Sequence, residues 1–208
     1  RGAELYALVD LLGATAGVEL RAPGSAAERK APPAEGAMGG FDRVKVGKSV
    51  KLSSHGTVAT RAPGATEHCV VMGDRPLDKS CSFSIKVAQV APGADEGFAI
   101  GMTTTAPTDV KRLPSSADQI ANAWLVGYDG ATWDGENWGL GEWRPSKLRE
   151  GDVVIAAMAK GELEIKVNGK RVQTLKTSAR GSASYYAVLD LLGSTVSVAF
   201  APPAKSRQ

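Results

Sequence analysis

Two stretches of this chain alternate with a strict period of two, and that alternation restricts what the chain can become. Ser82 to Val90 sets Phe83, Ile85 and Val87 against Ser82, Ser84 and Lys86. Glu162 to Val167 sets Leu163, Ile165 and Val167 against Glu164 and Lys166. Successive side chains of a strand point to opposite faces, so each stretch reads as a half-buried strand and not as a helix. Asn168-Gly169 follows the second directly, and Arg171 to Leu175 returns from it. An Asn-Gly pair suits a two-residue turn whose positions both have positive φ, so a hairpin is expected there. The same grammar recurs along the chain. Ser49–Ser53 and Thr57–Arg61 flank Ser54-His55-Gly56, and His68–Met72, Gly97–Thr103, Trp124–Tyr128 and Asp152–Ala159 are further short apolar runs between turns. Only Ser116 to Ala121 offers a helical turn. About a dozen short strands with almost no helix predict an all-β fold, an antiparallel sandwich or barrel.

The end of the chain is present twice. Ser184 to Phe200 and Glu4 to Leu20 align without a gap, and Tyr6, Ala7, Asp10, Leu11, Leu12, Gly13, Thr15 and Val18 match Tyr186, Ala187, Asp190, Leu191, Leu192, Gly193, Thr195 and Val198. The separation is close to a whole domain, far beyond a solenoid unit. Residues 1–20 therefore read as the closing strand pair of a preceding module, 21–40 as a linker rich in Pro and Ala, 41–202 as a complete module and 203–208 as a tail. Each copy looks like two strands around a Gly-centred turn, a hairpin. An isolated pair is marginal in water. Residues 5–20 are thus expected to finish an upstream domain, to lie on the second module, or to add strands to a neighbour. The chain starts at Arg1 without a Met, which suits a piece of a longer polypeptide.

Composition removes several classes of function. The net charge is only +3 and no dense basic stripe with interleaved aromatics is present, so nucleic-acid binding is not expected. No apolar run nears the ~20 residues that span a bilayer, so no transmembrane segment is expected. Cys69 and Cys81 are the only cysteines, too few for a disulfide framework and wrongly spaced for zinc. They are read as buried free thiols on neighbouring strands, which suits a soluble protein of a reducing, cytoplasmic compartment and leaves an organellar one open. There is no G-x-S-x-G elbow and no phosphate-binding loop, and Gly139-Leu140-Gly141 neither follows a clear strand nor opens a helix. His68 and Cys69 are adjacent in a strand and point to opposite faces, a poor basis for a catalytic pair.

The order of several short motifs carries a resemblance. Val46-Gly47-Lys48-Ser49-Val50-Lys51-Leu52-Ser53, Ala59-Thr60-Arg61, Arg75-Pro76-Leu77, Ile100-Gly101-Met102-Thr103-Thr104, Leu113-Pro114-Ser115-Ser116, Trp124, Glu150-Gly151-Asp152-Val153, Val167-Asn168-Gly169 and Tyr186 to Gly193 resemble a neuralized homology repeat, in that family's order. The resemblance covers nearly all of residues 41–200. It implies a two-sheet antiparallel β-sandwich of the concanavalin type, related to the SPRY domain, acting as a protein-binding module without cofactor or catalysis. Some relatives act in ubiquitin transfer through a RING domain, which two cysteines cannot build.

Four tryptophans, Trp124, Trp133, Trp138 and Trp143, fall close together among Gly and acidic residues. Trp124 lies within an apolar strand and belongs to the core. The other three either plug one end of the sandwich or form an exposed aromatic and acidic surface, as Trp is enriched at interface hot spots. On the second reading the contact surface comprises Leu113, Pro114, Ser115 and Ser116 with Asp129, Trp133, Asp134, Glu136, Trp138 and Trp143. Its partner is a protein with basic or extended segments. Two alternatives stand beside this: a structural accessory subunit docked permanently on a large assembly, and a lectin-like binder of glycans. Asp129-Gly130 and Asp134-Gly135 read as Asx turns, not as calcium loops.

Overall fold

The computed structural model describes residues 39–91, 93–179 and 184–201. The readings for residues 1–20, for 21–38 of the linker and for the tail lie outside them. Fourteen strands run through the described residues: β1 (Phe41–Val46), β2 (Val50–Ser53), β3 (Val58–Arg61), β4 (Val70–Gly73), β5 (Ser82–Val90), β6 (Ala99–Thr103), β7 (Ala123–Gly127), β8 (Ala131–Trp133), β9 (Trp138–Leu140), β10 (Val153–Ala159), β11 (Glu162–Val167), β12 (Lys170–Lys176), β13 (Tyr186–Asp190) and β14 (Thr195–Ala201). They form two seven-stranded antiparallel sheets, ordered β1-β4-β13-β6-β7-β8-β9 and β12-β11-β10-β5-β14-β3-β2. The fold is the expected sandwich.

Alternation decides the second sheet. Phe83, Ile85 and Val87 of β5 and Leu163 and Ile165 of β11 are buried on the inner face. The Asn168-Gly169 hairpin forms as read, with Val167 opposite Lys170 and φ of 50° and 82° at the two turn residues.

The first sheet is different, because β4, β6 and β7 are buried at every position. Val71, Ile100, Met102, Trp124, Ala187 and Leu189 face the second sheet, in one core with Phe83, Ile85 and Leu163. Val70, Met72, Leu125 and Val188 form a second apolar cluster with Leu113, Ala117 and Ile120, which come from the connection between β6 and β7. That connection lies over the outer face of the first sheet, so its strands lose the alternation that a wetted face would give them. The expected helical turn is a single 3₁₀ turn at Ala117–Gln119.

The repeated closing pair corrects one expectation. The strands do lie beside early ones, β13 next to β4 and β14 next to β3, but they are not a hairpin: β13 belongs to the first sheet and β14 to the second. Gly193 is the crossover between the two layers, with φ of 57°. The thiols need a second correction. Both are free, with Cys69 buried before β4 and Cys81 half-buried before β5, and those strands belong to different sheets.

Candidate interaction surface

The tryptophan-rich segment folds as a meander at one edge of the first sheet. Leu125 pairs with Trp133 across β7 and β8, and Trp133 with Trp138 across β8 and β9. Directly paired residues share a face, so both indoles lie on the outer face with Leu125. Asp134 makes the turn between β8 and β9. Its Oδ1 accepts the Glu136 N–H at 2.9 Å and the Asn137 N–H at 2.7 Å. Those donors stabilise the ionised form and hold the carboxyl below its ordinary range. Asp134 is therefore an Asx turn, as read.

The aromatic rings make a chain. The centroids of Trp133 and Trp138 are 5.2 Å apart, and those of Tyr128 and Trp138 5.9 Å apart. Trp133 also packs against the outer cluster that contains Leu113. Trp138 remains 50% exposed, and Leu140, two residues on along the same edge strand, 89%. These numbers matter because, among the described residues, β9 has no strand partner on its far side. A large apolar strip on a sheet edge is the kind of surface that a globular chain otherwise covers.

The loop over the outer face is tied to this strip through Asp190. Asp190 is fully buried at the end of β13, and its Oδ2 accepts both the Ala117 N–H and the Tyr128 hydroxyl, each at 3.0 Å. The Ser116 hydroxyl donates to Asp118 and lies 3.5 Å from the Tyr128 hydroxyl oxygen. The His68 N–H donates to the Ser115 carbonyl at 2.8 Å, holding the loop to the segment that leads into β4. Burial pushes the Asp190 carboxyl up despite its two donors. Burial also raises the Tyr128 hydroxyl, with the Asp190 charge adding to it.

Several expected residues therefore converge on one face: Leu113 and Ser116 from the loop, with Trp133 and Trp138 from the meander. Leu113 is itself buried, and Pro114 and Ser115 are half-buried. Asp129 and Glu136 are exposed on the turns at opposite ends of β8. Trp143 goes elsewhere. It is 8% exposed, edge-on to Phe98 with centroids 6.1 Å apart, and plugs the core between the sheets. Tyr128 and Asp190 were missed as site residues. The one signal for Asp190 was its recurrence at Asp10, a carboxylate kept inside an otherwise apolar run.

Cys69 is buried and its thiol is pushed up to about 11, chiefly by burial. Among the described residues no cluster of His, Cys, Asp and Glu could hold a metal ion, and no helix is long and apolar enough to cross a membrane.

Comparison with known proteins gives the fold a lineage. The sequence profile described as Neuralized matches residues 41–202. A solution structure of the NEUZ (NHR) domain in Neuralized from Drosophila melanogaster superposes with a TM-score of 0.64 at 16% identity, covering 80% of this chain and 92% of that one. The crystal structure of the Drosophila melanogaster neuralized-nhr1 domain gives 0.62 at 16% identity, over 79% and 98%. The SPRY domain of human HERC1 gives 0.56 at 14% identity, over 79% and 98%. A search among curated proteins returns no match. The profile match spans most of the chain and every described strand, so the chain belongs to the Neuralized family.

Proposed function

We propose that this domain is a recognition module that grips a protein partner with the outer-face strip centred on Trp138. Neuralized and SPRY domains are protein-interaction modules, and a non-catalytic role of that kind follows from the family. The observation that carries the location is the half-exposed Trp138 on β9, the edge strand of the first sheet among the described residues, packed at a tilt against Tyr128 and Trp133. The packed rings supply a rigid aromatic anchor that loses little conformational entropy on binding. Exposed Asp129 and Glu136 lie on the adjoining turns, so an extended segment with apolar side chains and a basic flank suits the strip.

Selection of a random peptide library on the wild-type chain tests this. Binders are expected to lose about thirtyfold in affinity on W138A, the scale of an aromatic hot spot. The melting temperature is expected to move by less than about 2 °C, because the removed side chain is half in water on a three-residue edge strand. Peptides that bind wild type and W138A equally would move the contact surface elsewhere.

A further inference from the structure

A second surface meets the aromatic strip at Leu140 and runs from there along the edge of the second sheet. We infer that the free edge of β12 is a docking trough for an acidic, extended peptide segment, which adds to the second sheet as a strand. β12 is the end strand of that sheet, so among the described residues one side of its backbone has no strand partner. Two clefts of about 420 and 410 Å³ lie against it, share Glu142, Arg171 and Val172, and together follow β12 from Lys170 to Thr174. Five residues of strand extend about 17 Å. That is the length of a short peptide strand.

The far wall of the trough is the segment that leaves β9. It is pinned to β12 by Gln173, whose Oε1 accepts the Glu142 N–H at 2.9 Å and lies 3.4 Å from the Trp143 nitrogen. A donor from Arg144 to the Gly141 carbonyl at 2.7 Å stiffens it. Trp143, Leu148, Val167 and Val172 give the trough apolar lining. A preformed wall and apolar lining lower the cost of ordering an incoming chain.

Charge chooses the occupant. Arg144, Lys147, Lys170 and Arg171 stand around the first cleft against Glu142 and Asp152. The Asp152 carboxylate is already engaged, by the Arg149 N–H and by the Asn168 side-chain amide, each at 2.8 Å. Arg171 is partly answered by Glu164 at 3.6 Å. Lys147 and Lys170 have no ion-pair partner among the described residues. Lysines and a bulge on an edge strand repel indiscriminate pairing, and β12 also has a register shift near Arg171. The same charges repel a second copy of this basic edge and attract a strand rich in glutamate or aspartate. Its backbone would pair with β12 while alternate side chains reach the lining.

The probe is a short fluorescein-labelled peptide in which glutamate alternates with threonine, titrated against the full chain by anisotropy. Hydrogen exchange is followed in parallel. Binding is expected to weaken with salt, to fall about tenfold on the double variant K147E/K170E, and to stay within about twofold of wild type on W138A. The amides of Lys170–Lys176 are expected to exchange more slowly in the complex. No binding, or equal binding by the charge-reversed variant, overturns the inference. Unchanged exchange in β12 overturns strand addition. Loss of binding on W138A would place the peptide on the aromatic strip instead. The charge-reversed positions are exposed, so the variant is expected to fold.

Discussion

Gly193→Ala is expected to lower folding stability by about 3–5 kcal/mol and the melting temperature by about 10 °C. Gly193 is the crossover that carries the chain from β13 in one sheet to β14 in the other. Its φ of 57° is one that an L side chain adopts at a cost of about 1–2 kcal/mol. A Cβ there would also sit 2.1 Å from the Glu96 carbonyl oxygen and 2.3 Å from its carbon. That carbonyl cannot step aside freely, because it accepts the Ser194 N–H at 2.8 Å. The Gly193 carbonyl in turn receives the Arg61 guanidinium at 2.7 Å. Gly169 provides the internal comparison. It too has a positive φ, at 82°, but a Cβ there meets nothing within 4 Å. G169A is therefore expected to cost about 1 kcal/mol, the backbone penalty alone. Thermal and denaturant melts of both variants separate the two contributions. If G193A melts with G169A, the close approach at the crossover is not what requires glycine.

How much of this could be read in advance depends on distance along the chain. Strands such as β5 and β11 were legible because alternation is local, and the Asn168-Gly169 turn because both turn residues announce positive φ. β8 and β9 were not. Three residues each, set among glycines, are too short to show a period, and their pairing depends on the Asp134 turn. The Leu113–Ile120 segment read as a contact loop with one helical turn, and its burial against the sheet was not legible because its apolar residues have no period. They pack against Val70, Met72, Leu125 and Val188 of the outer face, neighbours that are remote in sequence. The closing pair read as a hairpin because a Gly-centred turn looks the same whether it returns within a sheet or crosses between two. Among the site residues, Trp133 and Trp138 declared themselves by clustering, whereas the fate of Trp143 was decided by Phe98, which is remote in sequence. The β12 trough was invisible for the same reason: its walls come from residues 140–148 and 167–174, joined only by tertiary structure.

Asp190 has the second large effect, and its sign can be worked out. Asp190→Ala removes the acceptor of the buried Ala117 N–H and the nearer acceptor of the Tyr128 hydroxyl, leaving that hydroxyl only Ser116 at 3.5 Å. Each orphaned donor costs about 1–3 kcal/mol, so a loss of about 2–5 kcal/mol is expected, together with release of the Leu113–Ala117 loop from the outer face. Asp190→Asn keeps an acceptor in place and separates the role of the charge. In the wild type the other oxygen, Oδ1, is buried without a donor, so the negative charge is only half-compensated. Burial is the main cause of the raised titration, and the nearby Asp118 adds to it. A folded-state pKa above the unfolded value of ~3.9 means that the native protein holds its proton to higher pH than the unfolded chain does. This contribution to stability is fully present below the ordinary carboxylate pKa and is lost as pH rises through the interval up to the folded value. Denaturant melts across that interval should show wild type weakening relative to D190N as pH rises, with the two parallel above it. Hydrogen exchange should show the loop around Ala117 opening first in D190A. If D190N follows the same pH profile as wild type, the buried carboxyl is not the group responsible. If D190A leaves the loop amides protected, the outer-face cluster of Leu113, Ala117 and Ile120 holds the loop without it.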